Sequence, residues 1–328
     1  MHILEVLKNR ATAFGGSIVL PESGDPRTLA AAASLACQKI AKVILLGAPA
    51  EILKNAASLG ADISLCEIID PQSSSLLPEF ADTFYERRKE KGLSPEGALE
   101  AMQNPLYFGA MLVKKGIASG MVAGAANTTA DVLRAALQVV GVMPGLKTVS
   151  STFIMVSPRV DDPTYLFADC AVVPNPTAEQ LADIASSTAQ TRRSILSDEP
   201  FVALLSFSTK GSAEHELVEK VQTAKSILDS RQVDFAYDGE LQLDAAIVEK
   251  VAKSKAPGSK VAGHANTLVF PDLQAGNIGY KLVQRLGGYE AIGPIIQGLA
   301  APICDLSRGC STEDIVNTAI LVLLMSQK

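Results

Sequence analysis

The chain has no tryptophan, only three histidines and no CxxC pair among its five cysteines. Cys37, Cys66, Cys170, Cys304 and Cys310 are odd in number and show no pairing pattern. They predict neither a disulfide framework nor a zinc site, and a reducing cytoplasm fits them best. His2, His215 and His264 are scattered, with no Ser–His–Asp grouping nearby in sequence. Nothing argues for a hydrolase triad, although triad partners can lie far apart in a chain. No apolar run approaches the roughly 20 residues that span a bilayer, so no membrane partner is expected. The opening Met1-His2-Ile3-Leu4-Glu5 is too interrupted by charge to read as a signal peptide. There is no GK[ST] phosphate loop and no GxGxxG fingerprint, no internal repeat and no low-complexity tract. The net charge of −6 speaks against nucleic acid as a partner of the whole surface. It leaves room for a local basic pocket that takes a phosphorylated small molecule.

What is present is ordinary globular material: 328 residues, 48% hydrophobic and 20% charged, comfortable for two domains. Apolar runs at 17–20, 43–46 and 63–69 read as strands, alternating with helical patterns at 28–40 and 50–59. Pro26 stands at or near the first turn of the first of these helices. Runs that are apolar throughout suit parallel strands covered on both faces, and the alternation predicts an α/β fold. A charged helix over 80–91, closed by Gly92, carries Arg87, Arg88, Lys89 and Lys91, which a solvated face would also explain. A helix over 96–115 precedes a small-residue strand at 118–125. That strand opens into Ala126-Asn127-Thr128-Thr129-Ala130-Asp131 and a helix carrying Arg134. Small residues let backbone amides approach an anion, and a helix N-terminus favours one. Thr128 and Asp131 fit a capping box equally well.

Met143-Pro144-Gly145 breaks the pattern and marks a candidate domain boundary. Beyond it, strands are expected at 148–156, 164–167, 202–207, 268–270 and 292–296, helices at 177–193 and 274–286, and a basic loop at 253–258. A hydroxyl-rich turn at 206–212 carries Lys210 at a strand's carboxyl end, where ligands of open α/β sheets bind, though turn chemistry alone also accounts for it. The carboxylates of Asp238, Glu240 and Asp244 lack the spacing of a calcium loop, so a metal is not expected.

The densest chemistry lies near the end, in Asp305-Leu306-Ser307-Arg308-Gly309-Cys310-Ser311-Thr312-Glu313-Asp314, just before the apolar run 315–325. This order predicts a polar loop feeding the last helix, with Ser311 as N-cap and Asp314 three residues on. Arg308 can grip phosphate with two hydrogen bonds at a helix N-terminus that already attracts anions. A plain cap, turn and surface charge would look the same.

Taken together, several segments resemble the phosphate acetyl/butyryl transferase family over essentially the whole chain. They are Tyr85-Glu86-Arg87-Arg88-Lys89, Gly124-Ala125 through Arg134, the 206–212 turn, Asp238-Gly239-Glu240-Leu241-Gln242, Phe270-Pro271-Asp272-Leu273, and Gly293-Pro294-Ile295 through Gln297-Gly298-Leu299 to Ser311. The resemblance implies two α/β domains with largely parallel sheets and a cleft between them, an isocitrate/isopropylmalate dehydrogenase-like architecture. The expected division is 1–145 with 297–328, and an inserted 146–296. It implies reversible acetyl transfer, acetyl-CoA + phosphate ⇌ CoA + acetyl phosphate, in a homodimer. Coenzyme A is a substrate there, no cofactor is permanently bound and no metal takes part. Carried over by position, Ser307, Arg308 and Asp314 match the catalytic residues, and Arg134 with Thr128 and Thr129 would hold phosphate. Arg88 would bind CoA and substrate, although its neighbour Arg87 blurs that match by one position, and Arg308 would also meet CoA. Asp314 would deprotonate the CoA thiol for direct attack on acetyl phosphate in a ternary complex. An acetyl-cysteine route through Cys310 is the rival, without a visible histidine to activate the thiol. The alternatives in function are butyryl transfer, a catalytically silent binding module on the same fold, and a metal-dependent decarboxylating dehydrogenase. The last would need an acidic metal cluster and a dinucleotide site, and neither is found.

Overall fold

The computed structural model of the chain describes residues 3–159 and 162–327; His2 lies outside them. It divides into two compact units, one made of residues up to Met143 together with those from Leu299 onward, the other of Pro144–Gly298. The first unit runs α1 (Ile3–Phe14), β1 (Ser17–Leu20), α2 (Pro26–Cys37), β2 (Lys42–Leu46), α3 (Pro49–Leu59), β3 (Glu67–Ile69), α4 (Leu77–Arg88), α5 (Pro95–Gln103), α6 (Pro105–Lys114), β4 (Gly120–Ala123) and α7 (Thr129–Val139). The second holds β5 (Ser150–Val156), β6 (Tyr165–Ala168), α8 (Ala178–Leu196), β7 (Phe201–Leu205), α9 (Glu216–Arg231), β8 (Ala236–Leu241), α10 (Leu243–Ile247), α11 (Glu249–Lys255), β9 (Thr267–Val269), α12 (Leu273–Arg285) and β10 (Glu290–Gln297). The chain then returns to the first unit with β11 (Ile303–Asp305) and α13 (Thr312–Met325).

The first sheet is wholly parallel in the order β11-β4-β1-β2-β3. The chain lays β2 and β3 on one side of β1, then places β4 on the other. The order of strands therefore reverses between β1 and β4, and in open α/β sheets the crevice outside the strand carboxyl ends at such a point is where ligands bind. Three loops leave those ends side by side: 21–25 after β1, 124–128 after β4 and 306–311 after β11. Register fixes the last pair, since Asp305 lies opposite Ala123. Helix α13 buries Ile315, Ala319 and an unbroken run from Ile320 to Leu324. It packs on α1, α2 and β4, which explains its nearly continuous apolar sequence.

The second sheet, β10-β5-β6-β9-β7-β8, is mixed. Its β10–β5 and β5–β6 pairings are antiparallel and the other three parallel. The connection 157–164 is shorter than the dozen or so residues a parallel crossover needs, so β6 must return beside β5 in the opposite sense.

Several sequence expectations shift. The single helix read over 96–115 is two, because Pro105 lacks the N–H that would continue α5; Asn104 instead caps α6 through its side chain. The strand expected at 63–69 contracts to Glu67–Ile69. The basic loop at 253–258 is partly the end of α11, whose Lys253 pairs with Glu249 one turn back. Helices α1 and α9 and strand β11 were not visible in the pattern; β11 is only three residues long, below the length at which periodicity speaks.

Gly120 begins β4 where α13 crosses it. A Cβ there would fall 2.1 Å from Val322 Cγ1 and 2.9 Å from the Pro302 carbonyl oxygen. Gly120→Ala should therefore cost about 2 kcal/mol by overpacking, read as a lower denaturant midpoint; an unchanged midpoint would contradict this packing.

Candidate functional site

The site grows from the β1–α2 loop, Pro21-Glu22-Ser23-Gly24-Asp25. Glu22, only 7% exposed, turns its carboxylate into the loop after β4. One oxygen accepts from Gly124 N (2.9 Å) and Ala125 N (2.8 Å). The other accepts from Ala126 N (3.1 Å), Asn127 N (2.7 Å) and Asn127 Nδ2 (2.8 Å). Successive amides cradling an anion were expected here, and the anion is an internal one. The small residues at 124–126 permit the approach: Gly124 has φ +108, and a Cβ on it would sit 2.6 Å from both the N and the O of Leu306.

Arg27, in the first turn of α2, ties the loop after β4 to the loop after β11. Its guanidinium donates to the carbonyls of Arg308 and Cys310, each at 2.8 Å, and to that of Ala125, also at 2.8 Å. Asp25 holds it in a two-point ion pair, and Arg27 in turn keeps the Asp25 carboxyl below its usual range. The backbone around Arg308 is thus clamped from the first turn of α2.

Between the first turn of α7 and residues 306–308 lies a hollow of about 540 Å³, lined by Asn127, Thr128, Thr129, Ala130, Leu306, Ser307 and Arg308. Four of the residues singled out in the sequence, Thr128, Thr129, Ser307 and Arg308, meet here. Arg308 and Ser307 are exposed, and among the described residues the Arg308 guanidinium has no ion-pair partner. Among the described residues, Ser307 Oγ accepts only from Gly309 N, at 3.3 Å. The two threonines are more committed than expected. Thr128 caps α7 and donates its hydroxyl to Asp131 (2.7 Å), and Thr129 donates its hydroxyl to Asp305. A neighbouring hollow of about 360 Å³ lies at the β1–β4 reversal, lined by Glu22, Asp25, Asn104 and Asn127 among others.

Asp305 opens the chemistry-rich stretch, but its sequence position alone points to no role for it. It is 5% exposed; burial pushes its carboxyl up to about 6, with Glu22's charge adding to the rise and the Thr129 hydroxyl opposing it. Cys310 is buried; burial raises its thiol, Arg27 pulls it down and Asp314 pushes it up again. Asp314 is not among the residues lining the hollow. It forms the capping box with Ser311, accepting from Ser311 N at 2.8 Å through one oxygen, and its Oδ1 has no partner among the described residues.

Arg134 pairs with Asp131 at 2.7 Å and remains 55% exposed. Arg87 and Arg88 sit in different surroundings. Arg87 donates to the carbonyls of Gln138 (2.9 Å) and Val140 (3.3 Å) at the end of α7. Burial raises the Tyr107 phenol, and the charges of Arg134 and Arg88 lower it. Glu22, Asp25 and Arg27 could have been found by one signal: a polar Gly/Pro loop at the carboxyl end of the first strand.

In the second unit, the 206–212 turn is turned inward on itself. Lys210 pairs with Asp238, while Glu240 accepts from Ser208 Oγ (3.0 Å) and Gly211 N (2.7 Å). Among the described residues, no group of three or more His, Cys, Asp or Glu comes together in a way that could hold a metal. His215 caps α9.

The Glu22 cradle makes a prediction. Glu22→Gln would face a donating amide against main-chain donors and should destabilise the chain by about 3 kcal/mol. A thermal melt indistinguishable from the parent would show the cradle to be dispensable.

The family described as "Phosphate acetyl/butaryl transferase" matches residues 2–323. A phosphate acetyltransferase of Thermoanaerobacterium thermosaccharolyticum is 54% identical over 330 residues, covering 100% of each chain. A phosphotransacetylase structure from Streptococcus pyogenes superposes with TM-score 0.93 at 44% identity, covering 99% of this chain and 98% of that one. The EutD phosphotransacetylase of Staphylococcus aureus gives TM-score 0.92 at 44% identity with the same coverage. With its whole length matched in sequence and in architecture, this chain belongs to the phosphate acetyl/butaryl transferase family.

Proposed function

We propose that the chain is a phosphate acetyltransferase, catalysing acetyl-CoA + phosphate ⇌ CoA + acetyl phosphate. The observation that carries this reading is the hollow of about 540 Å³, in which the first turn of a helix faces Ser307 and an unpaired Arg308. A helix N-terminus and a forked guanidinium are together suited to a phosphoryl group. The likeness, at 54% identity, to a protein named phosphate acetyltransferase supports acetyl over butyryl as the transferred group.

In this reading phosphate, or the phosphoryl end of acetyl phosphate, lies against Arg308 and the N-terminal amides of α7. The CoA thiol loses its proton to Asp314, whose Oδ1 is left open by the cap. The thiolate attacks the acetyl carbonyl in a ternary complex and phosphate departs. Arg308 meets the charge that develops on the carbonyl oxygen and the leaving group, and the Ser307 hydroxyl donates to it. Arg134 adds positive charge for the phosphate, and Arg88 for CoA and the substrate. An acetyl-cysteine route is less favoured, because burial raises the Cys310 thiol and so reduces its thiolate form.

We further take the protein to be a cytoplasmic homodimer that draws on free CoA rather than a resident cofactor. None of the five cysteines is in a disulfide, which suits a reducing compartment. Ile278, Leu282 and Leu286 form an exposed stripe along α12, the kind of surface that self-association covers. No helix among the described residues is long and apolar enough to cross a membrane.

Thioester formation, followed by ultraviolet absorbance with CoA and either acetyl or butyryl phosphate, tests the assignment. Acetyl phosphate should be the better donor; preference for butyryl phosphate would move the chain to the sister activity, and no thioester with either would refute acyl transfer. Arg308→Ala should lower turnover about 10²- to 10³-fold in a folded protein. Asp314→Asn should slow the reaction most at low pH, where free thiolate is scarcest; a pH–rate profile that stays unchanged would reduce Asp314 to a helix cap.

A further inference from the structure

Thr129 lines the hollow and gives its hydroxyl hydrogen to Asp305. A hydroxyl has one hydrogen and two lone pairs. With the hydrogen turned to Asp305, Thr129 offers the hollow a lone pair. The arrangement has little freedom to change. The other Asp305 oxygen, Oδ1, is buried without a hydrogen-bond partner, and a Cβ on Gly124 would fall 2.4 Å from it. Among the described residues, no cation pairs with Asp305. The charged groups on the elements around it are Glu22 and Asp25 from the β1–α2 loop, Arg27 on α2, Asp131 and Arg134 on α7, Arg308 on its own loop, and Glu313 and Asp314 on α13. Of these, Glu22 opposes its ionisation, Arg27 is held by Asp25, and Asp131 and Arg134 are paired with each other.

We propose that the Asp305–Thr129 pair makes the hollow selective for oxyanions that carry a hydrogen, hydrogenphosphate above all, over fully ionised ones such as sulfate. The inference rests on reading the hollow as the phosphate site. Arg308 and the α7 N-terminus attract both dianions alike, since the two match in charge and shape. They differ by one hydrogen: the P–O–H group can donate to Thr129 Oγ, whereas sulfate would set lone pair against lone pair. Sites built around a substrate's hydroxyl reject analogues that lack it by large factors, because the polar group that the ligand covers is left unpaired. Thr129 and Asp305 are therefore specificity-determining, Thr129 by contact and Asp305 by positioning it.

The selectivity should fade in acid. Asp305 takes up a proton as pH falls through about 6. The neutral carboxyl no longer demands the threonine's hydrogen, the hydroxyl can turn toward the hollow, and sulfate becomes acceptable.

The test is acetyl phosphate formation from acetyl-CoA and inorganic phosphate, with sulfate as competitor, in the full chain and in Asp305→Asn, Thr129→Ser and Thr129→Val. If the unmodified protein forms no acetyl phosphate, the phosphate-site reading falls and this inference with it. If it is active, sulfate should inhibit it weakly at neutral pH and more strongly as pH drops below about 6, by a margin that Asp305→Asn abolishes, since phosphate's own protonation acts on both proteins alike. The ratio of sulfate inhibition constant to phosphate KM should shrink about tenfold or more in Asp305→Asn, and in Thr129→Val, but not in Thr129→Ser. A purely structural role would weaken turnover without moving that ratio. An active protein whose ratio is the same in folded Asp305→Asn, and whose sulfate inhibition does not vary with pH, would overturn the proposal while leaving the acetyltransferase reading in place. Should Asp305→Asn not fold, the comparison of Thr129→Val with Thr129→Ser decides.

Discussion

The carboxylate of Glu22, buried in a ring of backbone amides, is the interaction on which the site depends. An ion that deep is tolerated only when its oxygens are saturated with donors, and four consecutive main-chain N–H groups and one side-chain amide do this. Two consequences follow. The loop after β4 is held to a single shape, so Thr128 and Thr129 are presented from a fixed platform. The amides most suited to an anion are already taken, so a bound phosphoryl group is left with the α7 turn and Arg308. Burial raises the Asp305 carboxyl and Glu22's charge adds to the rise, so a second carboxylate beside the hollow titrates at about 6.

Arginine is used here in two different ways. Arg27 and Arg87 spend their fixed forks on backbone carbonyls, the first to hold the 308–310 loop, the second to finish α7. Arg308, Arg134 and Arg88 keep charge available at the surface. A chain with net charge −6 can in this way present a local positive field. Guanidinium suits both uses, since it keeps its charge and its planar geometry in either setting.

Much of the first unit was legible in sequence because its central strands are short apolar runs between amphipathic helices, and its helix starts carry Pro, Thr or Ser signals: Pro26, Thr128 and Ser311 all stand where such residues were expected to stand. The Ser307–Arg308 loop was legible for the same reason, since a cap and an apolar run bracket it. The rest was hidden by distance. Nothing local links Glu22 to residues about a hundred positions later, or Asp305 to Thr129, and β11 is too short to announce itself. The capping-box reading and the anion-loop reading of Thr128 and Asp131 were both open in sequence; the structure shows the cap and fills the amides with Glu22.

The return of the chain to its first unit has a consequence for biosynthesis. When residues up to Met143 have emerged from the ribosome, β4 has a free edge and α1, α2 and β4 lack the apolar face of α13. Those surfaces stay uncovered while the whole of 144–298 is made. The second unit is continuous and can fold as it emerges, whereas the first must wait for its last segment, as expected of a topology dominated by contacts distant in sequence. The nascent chain thus carries an exposed strand edge for about half its synthesis, and a holdase that shields such edges would act on the first unit rather than on the second.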